Sequence, residues 1–402
     1  MGKIKQRDKW LMGKKFKVTF GGWYQRTTLH LSEIYDFLAR GATNLRLDKE
    51  VLKSLHLKLD LVEIKREAGY LEYVLAKTRG GIEIRYYEDG LYVLEIETDN
   101  PKDAKNQLFN YYENFFGPAI NYIFSLGAPT PKVLANIKTA HPFVVSGVEK
   151  EPGKFSPDMT IYGETYSRIS SPKITVCKTP EYIFVISDPE ASAERGGLVE
   201  MQIFFREFKD QLEKYLNIHR EIWEEISQIK ERKSIKGKEV ELIRTKLDSY
   251  QKTINLINSR INQMGAYVGT RAKIAKYLKV EESLATLFQY KFEILSDTHA
   301  YIKEIWKMTA DYLATAIQVI VEIKNQTTNN SIQSLRLITT YGVVGGILGY
   351  LSKDSLPNIT SSGLIYFGLL IAGTWLVNQT VALAYRGKQY KLRFAETGFL
   401  KG

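Results

Sequence analysis

The stretch YGVVGGILGY, residues 341–350, sets four glycines within eight positions, and every other residue in it is apolar or tyrosine. Glycine costs a helix in water about 1 kcal/mol relative to alanine, so such a stretch should fray there. In a bilayer no water is present to bond the backbone, so helix is enforced and glycine becomes a means of close approach between helices. How the stretch is read therefore decides the fold, either as the core of a membrane span or as a weak helix end.

The flanking sequence favours a span. Residues 335–351 are apolar except for Arg336, Thr339 and Thr340, and 363–385 form a second apolar run with Asn378, Gln379 and Thr380 near its end. The first run is slightly short for a hydrocarbon core of about 30 Å, and a snorkelling Arg336 extends it. Arg336 precedes the first run and Arg386, Lys388, Lys391 and Arg393 follow the second, whereas the loop SKDSLPNITSS, 352–362, carries one lysine and one aspartate. The positive-inside rule then puts both termini in the cytosol and the loop outside, as expected of a multi-pass protein of the cytoplasmic membrane.

Upstream, the first 195 or so residues read as a mixed α/β domain. GIEIRYYEDGLYVLEIETD, 81–99, alternates apolar and polar residues around Glu88-Asp89-Gly90, a hairpin signal. A helical period follows from Pro101 to about Leu126, with Pro101 near its first turn. KITVCKTPEYIFVISD, 173–188, reads as two short strands parted at Pro180. Residues 143–172 are rich in Pro, Gly and Ser and read as loops, and DPEASAERGG, 188–197, reads as a linker. Beyond it the period becomes helical. One stripe runs Phe205, Phe208, Leu212, Tyr215, Ile222, Ile226, Ile229; after the basic break ERKSIKGKE a second runs Val240, Ile243, Leu247, Tyr250, Ile254, Ile257, Ile261, Met264, Val268. The second is close to a heptad, so the two helices should pair as an antiparallel hairpin. A third stripe begins near Glu281 and meets no proline before Pro357, which predicts roughly 70 residues of continuous helix, about 105 Å.

Composition narrows the function classes. With 44% hydrophobic and 25% charged residues, the chain of 402 residues is neither disordered nor membrane-embedded throughout. The single cysteine, Cys177, excludes a disulfide framework and reads as a small core residue. The histidines (His30, His56, His141, His219, His299) show no ligand spacing for zinc. Net charge is +11, but acids are interleaved with the lysines, which argues against a nucleic-acid stripe. MGKIKQRDKW at the N-terminus lacks the apolar run of a signal peptide and places Gln6 where a myristoylation signal needs Ser or Thr. GVEKEPGKF, 147–155, fails as a phosphate loop because its spacing is one residue too long and Phe155 stands where Ser or Thr must bind magnesium. No nucleophile, base and oxyanion set is present, so an enzyme is not expected.

The order of segments, together with YLATAIQVIVEIKNQTTNNSIQSLRLITT (312–340) and YRGKQYKLRF (385–394), resembles the CorA family of divalent-cation channels. The likeness in order covers about the whole chain, and that of residues is confined to roughly 310–395. It implies an α+β cytosolic domain (1–196), paired long helices (197–280), the cytosolic part of a stalk helix (281–334), a pore-lining transmembrane helix (335–351), an outer loop (352–362), a lipid-facing transmembrane helix (363–385) and a basic cytosolic tail (386–402). It further implies a homopentamer in the lipid bilayer that carries divalent cations, magnesium first and cobalt, nickel or zinc besides, with no cofactor beyond the transported or regulatory metal and no nucleic-acid partner. Influx would be passive, since a divalent ion gains about 4.6 kcal/mol per 100 mV of membrane potential.

Leu335, Thr339, Gly342, Gly346 and Gly349 step by three or four, share one helical face and become the pore-lining candidates. The alternative is that these small residues only pack against a neighbouring helix. The family's Gly-Met-Asn triplet is absent. Counting from Arg336 puts LPN at its place, with Asn358 as the outer filter; counting from the end of the apolar run puts GYL there, with Tyr350. Arg336, Arg386 and Lys388 would form an inner basic collar, or reflect orientation alone. Asp297, Glu304 and Asp311, spaced by seven, form a candidate regulatory metal stripe, against the plainer reading as helix-surface pairs with Lys307. A non-conducting, membrane-anchored oligomeric scaffold or sensor of the same architecture is the rival to the channel.

Overall fold

The computed structural model describes residues 15–24, 29–127, 141–351 and 361–391. The chain separates into two units, residues 1–218 with 256–304, and residues 219–255 with 305–402.

The first unit is built on a sheet. In chain order its elements are β1 (Phe16–Trp23), α1 (Leu31–Arg40), α2 (Lys49–Lys58), β2 (Leu61–Ala68), β3 (Glu72–Thr78), β4 (Glu83–Tyr87), β5 (Leu91–Thr98), α3 (Pro101–Tyr111), α4 (Gly117–Gly127), β6 (Phe143–Val148), α5 (Met159–Tyr162), β7 (Ser167–Ser170), β8 (Ile174–Lys178) and β9 (Tyr182–Ser187). They form a nine-stranded sheet in the order β2-β3-β4-β5-β1-β6-β9-β8-β7. Every neighbouring pair is antiparallel except β6 and β9. β1 lies near the centre and pairs with β5 over its full length, from Phe16 opposite Thr98 to Trp23 opposite Leu91.

Side chains alternate across a strand, so one sheet makes two chemically different faces. Phe16, Val18, Ile84, Tyr92, Leu94, Val145 and Phe184 point to one face, where they pack with Ile34, Phe37, Leu52, Leu108 and Ile120 of the first four helices and with Phe116 between α3 and α4. Their neighbours Lys17, Thr19, Arg85, Glu95 and Ser146 take the other face. That second face is covered by the start of α6 (Ser192–Lys230). Its Ile203 approaches so closely that a β-carbon on Gly21 of β1 would sit 2.9 Å from the Ile203 side chain. Arg206 of α6 fixes the approach by donating to the carbonyls of Pro142 (2.9 Å) and Gly21 (3.3 Å).

The hairpin at 88–90, the helix start at Pro101 and the two strands about Pro180 are present as the sequence predicts. Asn100 caps α3 by accepting from the Lys102 amide, with Pro101 in the first turn where its missing N–H costs nothing. Other expectations fail. The Pro/Gly-rich 143–172 contains β6, a largely buried strand in mid-sheet, and β7 at its edge; FVVSGV is too short and too little alternating to register as a strand. The supposed linker 188–197 holds the first turns of α6, where an added β-carbon on Gly197 would lie 3.1 Å from the Leu278 side chain. The helix of 101–126 is broken into α3 and α4 by a π-helical turn at Tyr112–Phe116.

β10 (Ser234–Lys236), α7 (Gly237–Tyr277), α8 (Phe292–Leu351), α9 (Ser361–Gly387) and β11 (Gln389–Lys391) complete the described chain. The third helix does not begin at 281. A π-helical turn at Leu284–Phe288 ends on Gln289 in the left-handed conformation (φ +60°), and α8 starts afresh at Phe292. Aromatic packing holds the break, with Tyr290 stacked on Phe205 at 5.0 Å and Phe292 edge-on to the same ring at 4.5 Å. From there α8 runs 60 residues, about 90 Å.

In the second unit, Ile222, Ile226, Ile243, Leu247, Leu313 and Ile320 are buried from three helices, around a Trp306 that is 0% exposed. Trp223 stacks on Tyr312 at 4.3 Å, and Lys246–Glu225 and Lys324–Glu241 pair at 2.8 Å on the outside. The basic break between the first two helical stripes and the start of the basic tail meet as a two-stranded antiparallel ribbon, Ser234–Lys236 with Gln389–Lys391, which buries Ile235 and Tyr390.

One ion cluster of the first unit makes stability pH-dependent. Burial alone would raise the pKa of Asp210, but bonds from His141 and from Lys214, whose Nζ lies at 2.7 Å, outweigh it and hold the carboxyl at about 2 against its usual 3.8. A depressed folded-state pKa stabilises above the unfolded value and is lost as pH falls through the folded one. The expected result is that Asp210→Asn costs about 2 kcal/mol of unfolding free energy at pH 6, with the difference from wild type closing between pH 4 and 2. Urea unfolding of the full chain across that range checks it.

Candidate functional site

The covered face of the sheet carries a cleft of about 250 Å³. Its floor is Lys17 and Thr19 of β1, Arg85 of β4, Val93 and Glu95 of β5 and Ser146 of β6; its roof is Ser192, Arg195, Gly196, Val199 and Glu200 from the first turns of α6. Glu95 is nearly buried, and its two oxygens accept from Lys17 Nζ and from an Arg85 terminal nitrogen, each at 2.7 Å. Arg85 Nε is buried and finds no acceptor among the described residues. Arg195 donates to the Gly147 carbonyl (2.7 Å), Ser187 Oγ (3.1 Å) and Ser192 Oγ (3.3 Å).

Behind the cleft lies a buried ion network. Arg271 of α7, 1% exposed, grips Asp89 through Nε (2.6 Å) and a terminal nitrogen (3.0 Å), and donates its other terminal nitrogen to Glu200 at 2.5 Å. Glu200 also accepts from the Tyr87 hydroxyl at 2.6 Å. Burial would lower the Arg271 pKa, and Asp89 and Glu200 more than reverse it, so the guanidinium stays charged. Burial and the Glu200 carboxylate together push Tyr87 well above the ordinary tyrosine range. The network holds the β4–β5 turn against α7 and fixes Glu200 at the cleft wall.

The residues singled out from sequence fall elsewhere. Leu335, Arg336, Thr339, Gly342, Gly346 and Gly349 lie on one uninterrupted helix, α8, so the five pore candidates do share a face. A β-carbon on Gly342 or Gly345 would meet nothing within 4 Å. Tyr350 also falls in α8 and Arg386 in α9, while Asn358 lies outside the described residues. The Lys388 carbonyl accepts from the Gly237 amide at 3.0 Å, which ties the collar candidate to the ribbon. Asp297, Glu304 and Asp311 are exposed along α8, and among the described residues no three His, Cys, Asp or Glu side chains converge as a metal cage.

Apolar side chains stand exposed all round the distal part of α8 and along α9, including Leu337 (60%), Tyr341 (77%), Ile365 (66%), Leu369 (68%) and Trp375 (62%). Among the described residues, no helix is long and apolar enough to cross a membrane.

The cleft was not legible in the sequence. Lys17 and Thr19 alternate with Phe16, Val18 and Phe20, a pattern that reads as one wet face, and nothing local shows that α6 covers it.

No family model matches the chain, and no curated protein matches it. Among solved structures, the complete structure of the CorA magnesium transporter from Methanocaldococcus jannaschii matches over 66% of this chain and 94% of that chain, at 9% identity and a TM-score of 0.27. A score that low does not establish a common fold.

Proposed function

We propose that this chain is one subunit of a membrane-embedded homo-oligomer, five-fold as in CorA-type channels, through which divalent cations pass down the membrane potential. The observation that carries the reading is the exposure of apolar side chains around residues 332–344 of α8 and 365–383 of α9, which an isolated chain in water would not sustain. In this reading residues 335–351 and 363–385 are the two spans, and the Leu335, Thr339, Gly342, Gly346 and Gly349 face turns to a shared axis. Its openness at Gly342 and Gly345 within the chain supports contact with other copies. Both termini are cytosolic, Arg336, Arg386 and Lys388 ring the inner mouth, and Asn358 or Tyr350 stands at the outer one. The exposed stripe Asp297, Glu304 and Asp311 would sense cytosolic metal between neighbouring copies. Transport of this kind needs no catalytic group and no cofactor.

The decisive experiment is flux into proteoliposomes under an imposed potential. Entry of magnesium, cobalt, nickel or zinc above that into empty vesicles is expected; no entry of any of them overturns the channel. A second reading, a non-conducting anchored scaffold or sensor, is favoured by the missing Gly-Met-Asn triplet and by an outer loop whose only acid, Asp354, neighbours Lys353. Gly342→Leu and Gly346→Leu separate the two. A conducting face loses flux with assembly intact, whereas a face that only packs loses assembly.

A further inference from the structure

The cleft under α6 holds more positive charge than its own carboxylates neutralise. Lys17, Arg85, Arg195 and, behind the wall, Arg271 face Glu95, Glu200 and Asp89. Glu95 is shared by Lys17 and Arg85, while Asp89 and Glu200 are taken up by Arg271. That leaves Arg195, a half-buried guanidinium with no carboxylate within 4.0 Å among the described residues and only a carbonyl and two hydroxyls as partners. Burial pushes its pKa below the ordinary arginine range with no acid to offset it. A half-buried charge held by neutral acceptors alone is left without a counterion, which an anion in the cleft would supply. The cleft also keeps one guanidinium donor, Arg85 Nε, without an acceptor among the described residues.

We propose that this cleft binds a phosphate group, with Arg195, Arg85 and Lys17 as its cationic contacts and Ser192 as a hydroxyl donor. The cations exceed the carboxylates by one, four to three, and donors line both floor and roof, so the ligand must be an anion that brings several acceptor oxygens. A phosphate carries about −1.5 to −2 charges and three strong acceptor oxygens, where a carboxylate brings one charge and two oxygens. The volume, about 250 Å³, equals roughly eight waters at about 30 Å³ each, which exceeds what one phosphate needs and falls short of drug-sized pockets. The class this fits is a small phosphate monoester, with free phosphate as the other source of the same group. The site lies wholly within the sheet-bearing unit and does not depend on whether the chain conducts ions.

The test is calorimetric titration of the full chain, in detergent at low salt, with inorganic phosphate, glycerol phosphate and succinate. Saturable binding of glycerol phosphate in the millimolar range or tighter is expected, weakened at least tenfold by Arg195→Gln, partly restored in Arg195→Lys, and weakened by Lys17→Gln. Tighter binding of inorganic phosphate than of the monoester assigns the site to free phosphate within the same proposal. No saturation by either phosphate compound up to 10 mM (about the weakest range in which such contacts register) overturns it. So does equal binding of succinate, or binding left unchanged by the substitutions. Should Arg195→Gln fail to fold, the wild-type titration and Lys17→Gln, whose side chain stands 41% exposed, decide alone.

Discussion

Replacing Arg271 by Met should cost about 3–5 kcal/mol of unfolding free energy. Among the described residues the guanidinium is the one cation gripping Asp89, itself 1% exposed, and it shares Glu200 with Tyr87. Deleting it strands one fully buried carboxylate and weakens the hold on another, and it is the stranded charge, more than the lost attraction, that destabilises. The same logic gives the control. Asp89→Asn combined with Arg271→Met removes the stranded charge together with its partner and should recover a substantial part of the loss. Arg271→Lys keeps the charge but not the two-pronged grip, so it should fall between. Urea unfolding of the full chain, followed by the fluorescence of Trp23 beside the network, measures all three. Equal stability of Arg271→Met and wild type would show that the network is not closed in solution.

Gly90→Ala is expected to be at least as severe. Gly90 turns the β4–β5 hairpin at φ +88°, and an added β-carbon would lie 1.9 Å from the Tyr24 carbonyl oxygen, which belongs to backbone and cannot swing away. The two penalties can be separated within the same sheet. Gly81 has nearly the same conformation, φ +81°, with nothing within 4 Å of an added β-carbon, so Gly81→Ala reports the left-handed strain alone, about 1–2 kcal/mol. Gly90→Ala should exceed that by at least about 2 kcal/mol, since the strand ends must separate and the Tyr24 N–H to Gly90 carbonyl bond goes with them. Comparable losses at the two glycines would mean that the hairpin yields freely around Tyr24.

These two residues also mark how far the sequence could be read. Gly90 announces itself, because Glu-Asp-Gly between alternating runs has a local cause and a local effect. The helical stripes from Phe205 to Val268 were likewise readable, since every residue in them reports the same face. What escaped was set by contacts between distant segments. Nothing near Arg271 marks it as the partner of Asp89, 182 residues away. FVVSGV becomes a central strand only because β1 and β9 flank it, and Gln289 breaks a helix only because Phe205 offers its ring to Tyr290. The cleft is the extreme case. Its lining comes from four strands and one helix, each polar residue ordinary where it stands, and the surplus charge appears only when they are brought onto one face.

The reach of Arg271 has a temporal side as well. The sheet-bearing unit takes residues 1–218, departs, and is completed only by 256–304. A ribosome adding about 5–20 residues each second delivers Arg271 roughly 10–35 seconds after Asp89. Throughout that interval the nascent sheet carries an acidic turn without its counterion and a flank that α7 has yet to cover. A newborn chain is therefore exposed to misassembly and chaperone capture for that span, and its maturation is paced by elongation through the long helices, not by the speed of sheet formation.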